Sequence, residues 1–488
     1  MTEKSIIIIG AGLAGLSTGI YGQMNGYRTR IFEHDKKPGG VCTAWKRKKY
    51  TFDGCIHWLV GVKPDAWFNQ IYREVGALEG DPLRVMKHYV RYVDEASGQT
   101  LDVTGDLDRL ASDMRALSPD DGPIIDELMD GARNLKGVDW NFDTSQEARG
   151  TGDIMQYFAR YNTPVAEFAK RFSNPFLRWC VTNVFMPTMP MNFLFMILGQ
   201  LAEGELARVE GGSLDFSLRV AKRYRDLGGK VKYGATVEEI LVEDDRAVGV
   251  RLADGSEHRA DIVVSCADGY STIFKMLGER YIDQKIKDRY ANWPMFPPIL
   301  IISFGVANDF AGEASSNTVR LQRPITLGGQ EFEAFAFRIY NYDPTMAPPG
   351  KTVVQVILPT DFDWWCDLQE KDRASYNAEK ERVAKDVLAQ LERYLPGITS
   401  QVEVTDVATP YTFWRYTRNY RGAFEGWLLA PETMGTSVEK TLPGLSNFYM
   451  AGQWVEPGGG IPSALFSGRN LMKRLCRQDG KEFSATIP

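Results

Sequence analysis

The residues best placed to do chemistry stand at the start of the chain. Gly10-Ala11-Gly12-Leu13-Ala14-Gly15 follows at once on Ser5-Ile6-Ile7-Ile8-Ile9, a β-branched run of the kind a strand buried on both faces requires. This reads as a strand entering a phosphate turn. Gly10 permits the tight turn, Gly12 lets backbone N–H groups reach a pyrophosphate with no Cβ in the way, and Gly15 lets the next helix pack close to the strand. That helix, expected over Leu16–Asn25 and ended by Gly26, turns its positive dipole end towards the phosphates. Thr29-Arg30-Ile31-Phe32-Glu33 reads as a second strand. The carboxylate of Glu33 suits the hydroxyls of a ribose and disfavours a 2′-phosphate. The chemistry implied is the grip of a dinucleotide.

Bulk properties narrow the classes. A chain of 488 residues has room for roughly two to four domains and a large core. Charged residues make up 25% and the net charge is −6, so nothing points to nucleic acid. Six cysteines (Cys42, Cys55, Cys180, Cys266, Cys366, Cys476) are scattered without CxxC or metal-ligand spacing, as in reduced thiols of a cytosolic protein. No metal is expected, and the CxxxxC redox pair of disulfide reductases is missing. The longest apolar region, Val181–Leu201, is broken by Asn183, Pro187, Pro190 and Asn192, which argues against a transmembrane helix. A cytoplasmic protein is expected, with peripheral membrane contact left open.

Two further glycine clusters extend the pattern. Gly39-Gly40 lies just past Glu33, where a protein binding only a nicotinamide dinucleotide needs no second close backbone approach. Near the other end, Leu445–Trp454 reads as a strand entering the turn Pro457-Gly458-Gly459-Gly460-Ile461-Pro462, with Pro462 at the first position of a helix over Ser463–Arg477. Between the clusters, a helix is expected over Leu214–Leu227. Strands at Lys230–Tyr233 and Ala235–Val242 are expected to rejoin the nucleotide-binding sheet, Val248–Leu252 with its Asp254-Gly255 turn is a hairpin, and Asp261–Asp268 is a buried strand.

Residues 62 to about 205 alternate helical patterns with turns. Within them Asp153–Leu201 is rich in Phe and Met: Phe158, Phe168, Phe172, Phe176, Trp179, Phe185, Met186, Met189, Met191, Phe193, Phe195 and Met196. Such a stripe reads equally as helical core or as the wall of a tunnel for a long apolar substrate. From Tyr290 to Met434, strands are expected at Ile299–Val306, Phe332–Tyr340 and Thr352–Leu358, and a charged helix at Ser375–Tyr394.

With Phe52-Asp53-Gly54 and the C-terminal signature added, the chain resembles the phytoene desaturase-like flavoproteins, which include retinol saturases and carotenoid isomerases, within the amine oxidase-like FAD fold. The resemblance implies an α/β class: a Rossmann-like FAD-binding domain over 1–61, 206–289 and 435–488, carrying an inserted, discontinuous α+β substrate domain over 62–205 and 290–434. It implies FAD contacts at Gly10, Ala11, Gly12, Leu13, Ala14, Gly15, Glu33, His34, Gly39, Gly40, Val41, His57, Trp58, Val237, Ala267, Gly452, Gln453, Gly460, Ile461 and Ala464. Val237 would meet the adenine through its backbone, and the N–H groups around Gly460 and Ile461 would support negative charge on a reduced flavin. The chain departs from the family at Val41, where an arginine is usual; Lys46 or Arg47 are the expected replacements.

The implied reaction is hydride exchange between flavin N5 and the carbon chain of a hydrophobic substrate, an isoprenoid, carotenoid, retinoid or related lipid. Desaturation, saturation and isomerisation stay open, as does the electron acceptor; no second GxGxxG offers a separate NAD(P)H domain. Two rival readings are oxidation of C–N bonds in amines, and carriage of a prenylated partner without catalysis, as in the GDP dissociation inhibitors. Of four histidines (His34, His57, His88, His258), His57 alone lies in a flavin-side motif. It is the candidate catalytic residue, to move a proton or polarise a substrate end, against a plain reading as a structural histidine. Trp58, Tyr416 and Tyr420 are weaker candidates, as ring neighbours or pocket wall. The stretch Tyr411–Trp427 reads as a loop packed on the flavin side of the pocket, with a membrane-facing mouth as the alternative.

Overall fold

The computed structural model describes residues 3–135, 156, 159–430, 433, 436 and 438–488. Asp153 and Phe158 of the expected apolar stripe, and the domain boundary at 434–435, lie outside them. The Ser5–Ile9 strand is central in a five-stranded parallel sheet whose order is 448–450, 262–265, 5–9, 28–32, 230–232. Side chains alternate across it. Ile6 and Ile8 join a core with the helices Leu13–Met24, Gly212–Asp226 and Gly460–Gln478, while Ile7 and Ile9 join a separate core on the other face. Burial on both faces is what the unbroken isoleucine run demands.

Several boundaries shift. The first helix begins at Leu13, because Leu16 N–H already bonds to Gly12 C=O at 3.0 Å. The last helix begins at Gly460, so Pro462 is its third residue, still within the turn whose N–H groups have no intrahelical partner. Of the two strands expected to rejoin the parallel sheet, only Lys230–Lys232 does so. Past it, Gly234 and Ala235 donate to the carbonyls of Asp35 and Glu33, which turns the chain out of the sheet. Val237–Glu243 instead pairs antiparallel with Arg246–Leu252, and that strand with Glu257–Arg259.

A second sheet has seven strands, in the order 402–408, 299–306, 352–359, 330–339, 316–327, 88–94, 100–104. It draws strands from both sides of the parallel-sheet strands 230–232 and 262–265, the discontinuous architecture of an inserted α+β domain. His88–Asp94 and Thr100–Thr104 come from a region read in sequence as helices and turns. They pair antiparallel with each other, and His88–Asp94 pairs parallel with Ser316–Leu327, a contact no local pattern announces.

The two domains are joined at Asp53. Its buried carboxylate accepts from Cys55 N–H (2.9 Å), Ser213 N–H (2.8 Å) and Ser213 Oγ (2.5 Å), and its carbonyl accepts from Gln355 Nε2 (2.9 Å). One residue thus holds the start of the Gly212–Asp226 helix, the loop leading to His57 and a strand of the seven-stranded sheet. Burial raises its pKa, opposed by those three donors. Asp53→Ala should lower stability by about 3 kcal/mol, because buried donors lose their acceptor, and Asp53→Asn should recover part of the loss. Urea denaturation measures both; an unchanged midpoint for the alanine variant would refute the assignment.

Candidate functional site

A cleft follows the carboxyl ends of the strands Ser5–Ile9, Arg28–Phe32 and Ile262–Ser265, where open α/β sheets place their ligands. It is lined by Gly10, Gly12, Leu13 and Ala14, then Glu33 and His34, then Gly39, Gly40 and Val41. Val237 and Ala267 follow, and Gly452, Gln453, Gly460, Ile461 and Ala464 complete it from the far end of the chain. The glycine clusters of opposite termini do meet: a Cβ built on Gly452 would lie 3.1 Å from Ala14 Cβ.

Four residues expected at a cofactor do not line this cleft. Ala11 lies behind the turn, its N–H donating to Glu33 Oε2 (2.6 Å) and its carbonyl accepting from Gly39 N–H (2.9 Å). Gly15 packs on the turn itself, where an added Cβ would be 2.0 Å from Gly10 O. His57 and Trp58 line a neighbouring cavity. Neither Lys46 nor Arg47 lines the cleft either, and Arg47 pairs with Asp406 at 2.7 Å. The cation that does line it is Arg418, at the end of the Pro410–Thr417 helix, with Tyr416, Thr417 and Asn419 beside it. Its place in a run alternating aromatics and arginines gave no sign of which arginine would turn inward. Thr236, Asp268 and Glu425 also line the cleft and had no motif to mark them.

The second cavity has a volume of about 1010 Å³. Its walls include His57, Trp58, Phe185, Met186, Phe193, Met196, Phe296, Ile299 and Phe424, and Lys440, Glu456, Arg474 and Arg477 stand among its polar lining. The aromatic and methionine stripe is therefore divided: Phe168, Phe172, Phe176, Met191 and Phe195 are buried core, while Phe185, Met186, Phe193 and Met196 are cavity wall. Cleft and cavity share Cys55, Glu425, Gly460 and Ile461. Those four residues stand between the two spaces.

The profile of the flavin containing amine oxidoreductase family matches residues 13–471. The chain belongs to this family. Over 514 residues it is 26% identical to the phytoene desaturase (lycopene-forming) of Pseudescherichia vulneris, covering 96% of this chain and 98% of that protein. Over 524 residues it is 23% identical to a chloroplastic prolycopene isomerase of Daucus carota, covering 99% and 82%. In structure, an oxidoreductase from Methanosarcina mazei superposes with a TM-score of 0.64 at 17% identity, over 96% of this chain and 100% of that one, a likeness of fold. The chain is thus a phytoene desaturase-like FAD-dependent oxidoreductase, its FAD domain Rossmann-like.

The cleft of this flavin oxidoreductase fits its cofactor. No protein atom lies within 4 Å of where a Cβ on Gly12 would stand, so a side chain there would project into the space a pyrophosphate needs. Glu33 is held by Ala11 N–H and by Asp35 N–H (2.7 Å), and burial pushes its carboxyl up to about 7 against those hydrogen bonds. Asp268, anchored by Ser271 N–H (2.7 Å) and Tyr420 N–H (2.8 Å), is raised to about 6 by the same cause. In the cavity, burial holds the His57 pKa well below its usual range, with the charge of Arg338 adding to the effect. His57 is therefore a neutral imidazole at pH 7, and among the described residues neither ring nitrogen has a hydrogen-bond partner.

Three outcomes are expected. Gly12→Val should fold with unchanged thermal stability as apoprotein but lose at least about 10-fold in FAD affinity, read as bound flavin per chain and by calorimetric titration. Gly39→Ala should weaken the fold itself, since at φ +115° its Cβ would be 2.3 Å from Cys42 O. For pH, a glutamate in the unfolded chain titrates near 4.5 and Glu33 in the fold near 7. Between these values the folded apoprotein keeps a proton that the unfolded chain has lost, so stability falls as pH rises through that window, on the order of 3 kcal/mol for this residue. Glu33→Gln should flatten the decline in urea midpoint between pH 5 and 8; an unaltered slope would contradict it.

Proposed function

We propose that this flavoenzyme exchanges hydride with C–C or C=C bonds of a long apolar polyene or related isoprenoid lipid. The observation that carries the reading is a large, mainly apolar cavity adjoining the flavin cleft, with Cys55, Glu425, Gly460 and Ile461 lining both. Its relatives named as carotenoid desaturase and isomerase support the substrate class. In this reading residues 1–61, 206–289 and 435–488 hold the cofactor, and 62–205 and 290–434 hold the substrate.

Bound in the cleft, FAD supplies the hydride acceptor or donor. The chain supplies the rest. The glycine turn at Gly10–Gly15 and the dipole of the first helix hold the pyrophosphate, Glu33 accepts from the ribose, and Arg418 with His34 takes the part of the arginine replaced by Val41. Backbone N–H groups of Gly460 and Ile461, at the start of the last helix, favour negative charge on the ring. Phe185, Met186, Phe193 and Met196 position an apolar chain and exclude water. No helix among the described residues is long and apolar enough to cross a membrane, and peripheral contact with a bilayer that dissolves the substrate stays part of this reading.

The test is anaerobic mixing of the FAD-loaded protein, oxidised and photoreduced, with carotenoids, retinoids, fatty acids and amines while flavin absorbance is followed. A polyene should bleach the oxidised form or restore colour to the reduced one. Turnover of amines alone, with peroxide release in air, would overturn the reading.

A further inference from the structure

Glu425 lines both the cleft and the cavity. Of the four residues lining both spaces, two are glycine and isoleucine, and the third, Cys55, is a thiol whose pKa is raised by contact with Cys42 and by burial. Among the described residues, no hydrogen bond or ion pair reaches the Glu425 carboxylate. What surface it exposes faces the interior of the cavity.

The backbone around it is fixed. Asn419 Nδ2 donates to Ala423 O (3.1 Å), Phe296 N–H to Gly426 O (2.9 Å), and Trp427 Nε1 to Trp454 O (3.0 Å). The three-glycine turn makes room for the side chain: a Cβ on Gly459 would stand 2.7 Å from Glu425 Oε2. A carboxylate with no partner, on a rigid loop, beside the N-terminus of the helix that closes the flavin cleft, is costly to build without a use.

We propose that Glu425 is the group that takes a proton from, or returns one to, the substrate carbon adjacent to the one exchanging hydride with the flavin. This rests on the function proposed above. In the dehydrogenating direction, one C–H bond breaks with its electron pair leaving as hydride to the oxidised flavin. The neighbouring C–H bond breaks with its proton passing to the Glu425 carboxylate, and its electron pair becomes the new π bond. The substrate loses two electrons and the cofactor gains them. In the reverse direction protonated Glu425 donates, and in isomerisation it adds and removes a proton with no net electron transfer.

Burial pushes the Glu425 carboxyl up to about 7, so donor and acceptor forms coexist near neutrality. Cys55, the titratable group that feels its charge, is held as a neutral thiol with Cys42 behind it, and His57, on the cavity wall, is held neutral; Lys440, Glu456, Arg474 and Arg477 also line the cavity, and burial alone sets the Glu425 shift.

The test uses FAD-loaded wild type, Glu425→Gln and Glu425→Asp. Without substrate, wild-type flavin absorbance should shift with a midpoint near pH 7, and the glutamine variant, with FAD still bound and an equal melting temperature, should lose that shift. With a reactive polyene in D2O, single-turnover rate should fall about 100-fold in Glu425→Gln and lose its pH dependence, deuterium should cease to enter the recovered chain, and Glu425→Asp should restore part of both. A glutamine variant that keeps the absorbance titration, or that keeps wild-type rate and deuterium uptake, overturns the proposal. If Glu425→Gln fails to hold FAD, the aspartate variant decides: a displaced pH midpoint supports the assignment and an unchanged one overturns it. Should no polyene react with wild type, the substrate reading falls, and the absorbance titration by itself still judges the placement of Glu425.

Discussion

The structure depends on the backbone of its first helix being approachable at van der Waals distance from two directions. On one side the helix sits on its own turn, where the missing Cβ of Gly15 admits Gly10 O. On another it is touched by the last helix: a Cβ on Gly468 would fall 2.6 Å from Thr18 N and 2.9 Å from Ala14 O. Ser17 Oγ seals this contact by donating to Leu465 O (2.5 Å). Because the two helices lie this close, Gly452 and Gly460 arrive beside Gly12 and Ala14, and one cleft forms from opposite ends of the chain. A buried charge pair locks the arrangement. Glu74 accepts from both Tyr21 of the first helix and Arg469 of the last, so each charge in that dry interior has its partner.

What the sequence made legible follows from this. Requirements imposed on the backbone are local: a glycine where a phosphate, a turn or another helix must come close, an isoleucine run where both faces of a strand are covered. These were readable at Gly10–Gly15, Gly39-Gly40 and Gly459-Gly460, and they carried the fold class. Requirements imposed by distant pairing were not. His88–Asp94 takes its strand geometry from Ser316–Leu327, and its own residues, with tyrosines and valines between charges, fit a partly buried helix almost as well. The division of the Phe and Met stripe into core and wall was hidden for a like reason, since periodicity reports that a face is buried but not whether protein or substrate buries it.

The site residues that escaped notice share one trait. Glu425, Arg418 and Asp268 sit in segments with no spacing rule, and each acquires its chemistry from what other segments do around it. Arg418 borders the cleft as the left-handed residue that ends the Pro410–Thr417 helix, its guanidinium over the Trp414 ring. Glu425 is desolvated because the cavity walls come from several regions remote in sequence. A pKa is a property of the assembled environment, so no residue pattern within the loop could have disclosed it.

The electrostatic character of the junction follows from the same enclosure. Burial penalises charge at two of the cavity's groups: His57 stays an imidazole and Cys55 stays a thiol. Glu425 is held near the balance point: among the described residues no cation pairs with its carboxylate and no acceptor takes its proton. Filling the cavity with an apolar chain would withdraw what solvent reaches it, and negative charge gathering at the start of the last helix would act in the same sense. Both changes favour the protonated acid. The same rise that populates the acid weakens it as a proton donor and strengthens its conjugate base, so enclosure by itself sets no preferred direction of proton transfer.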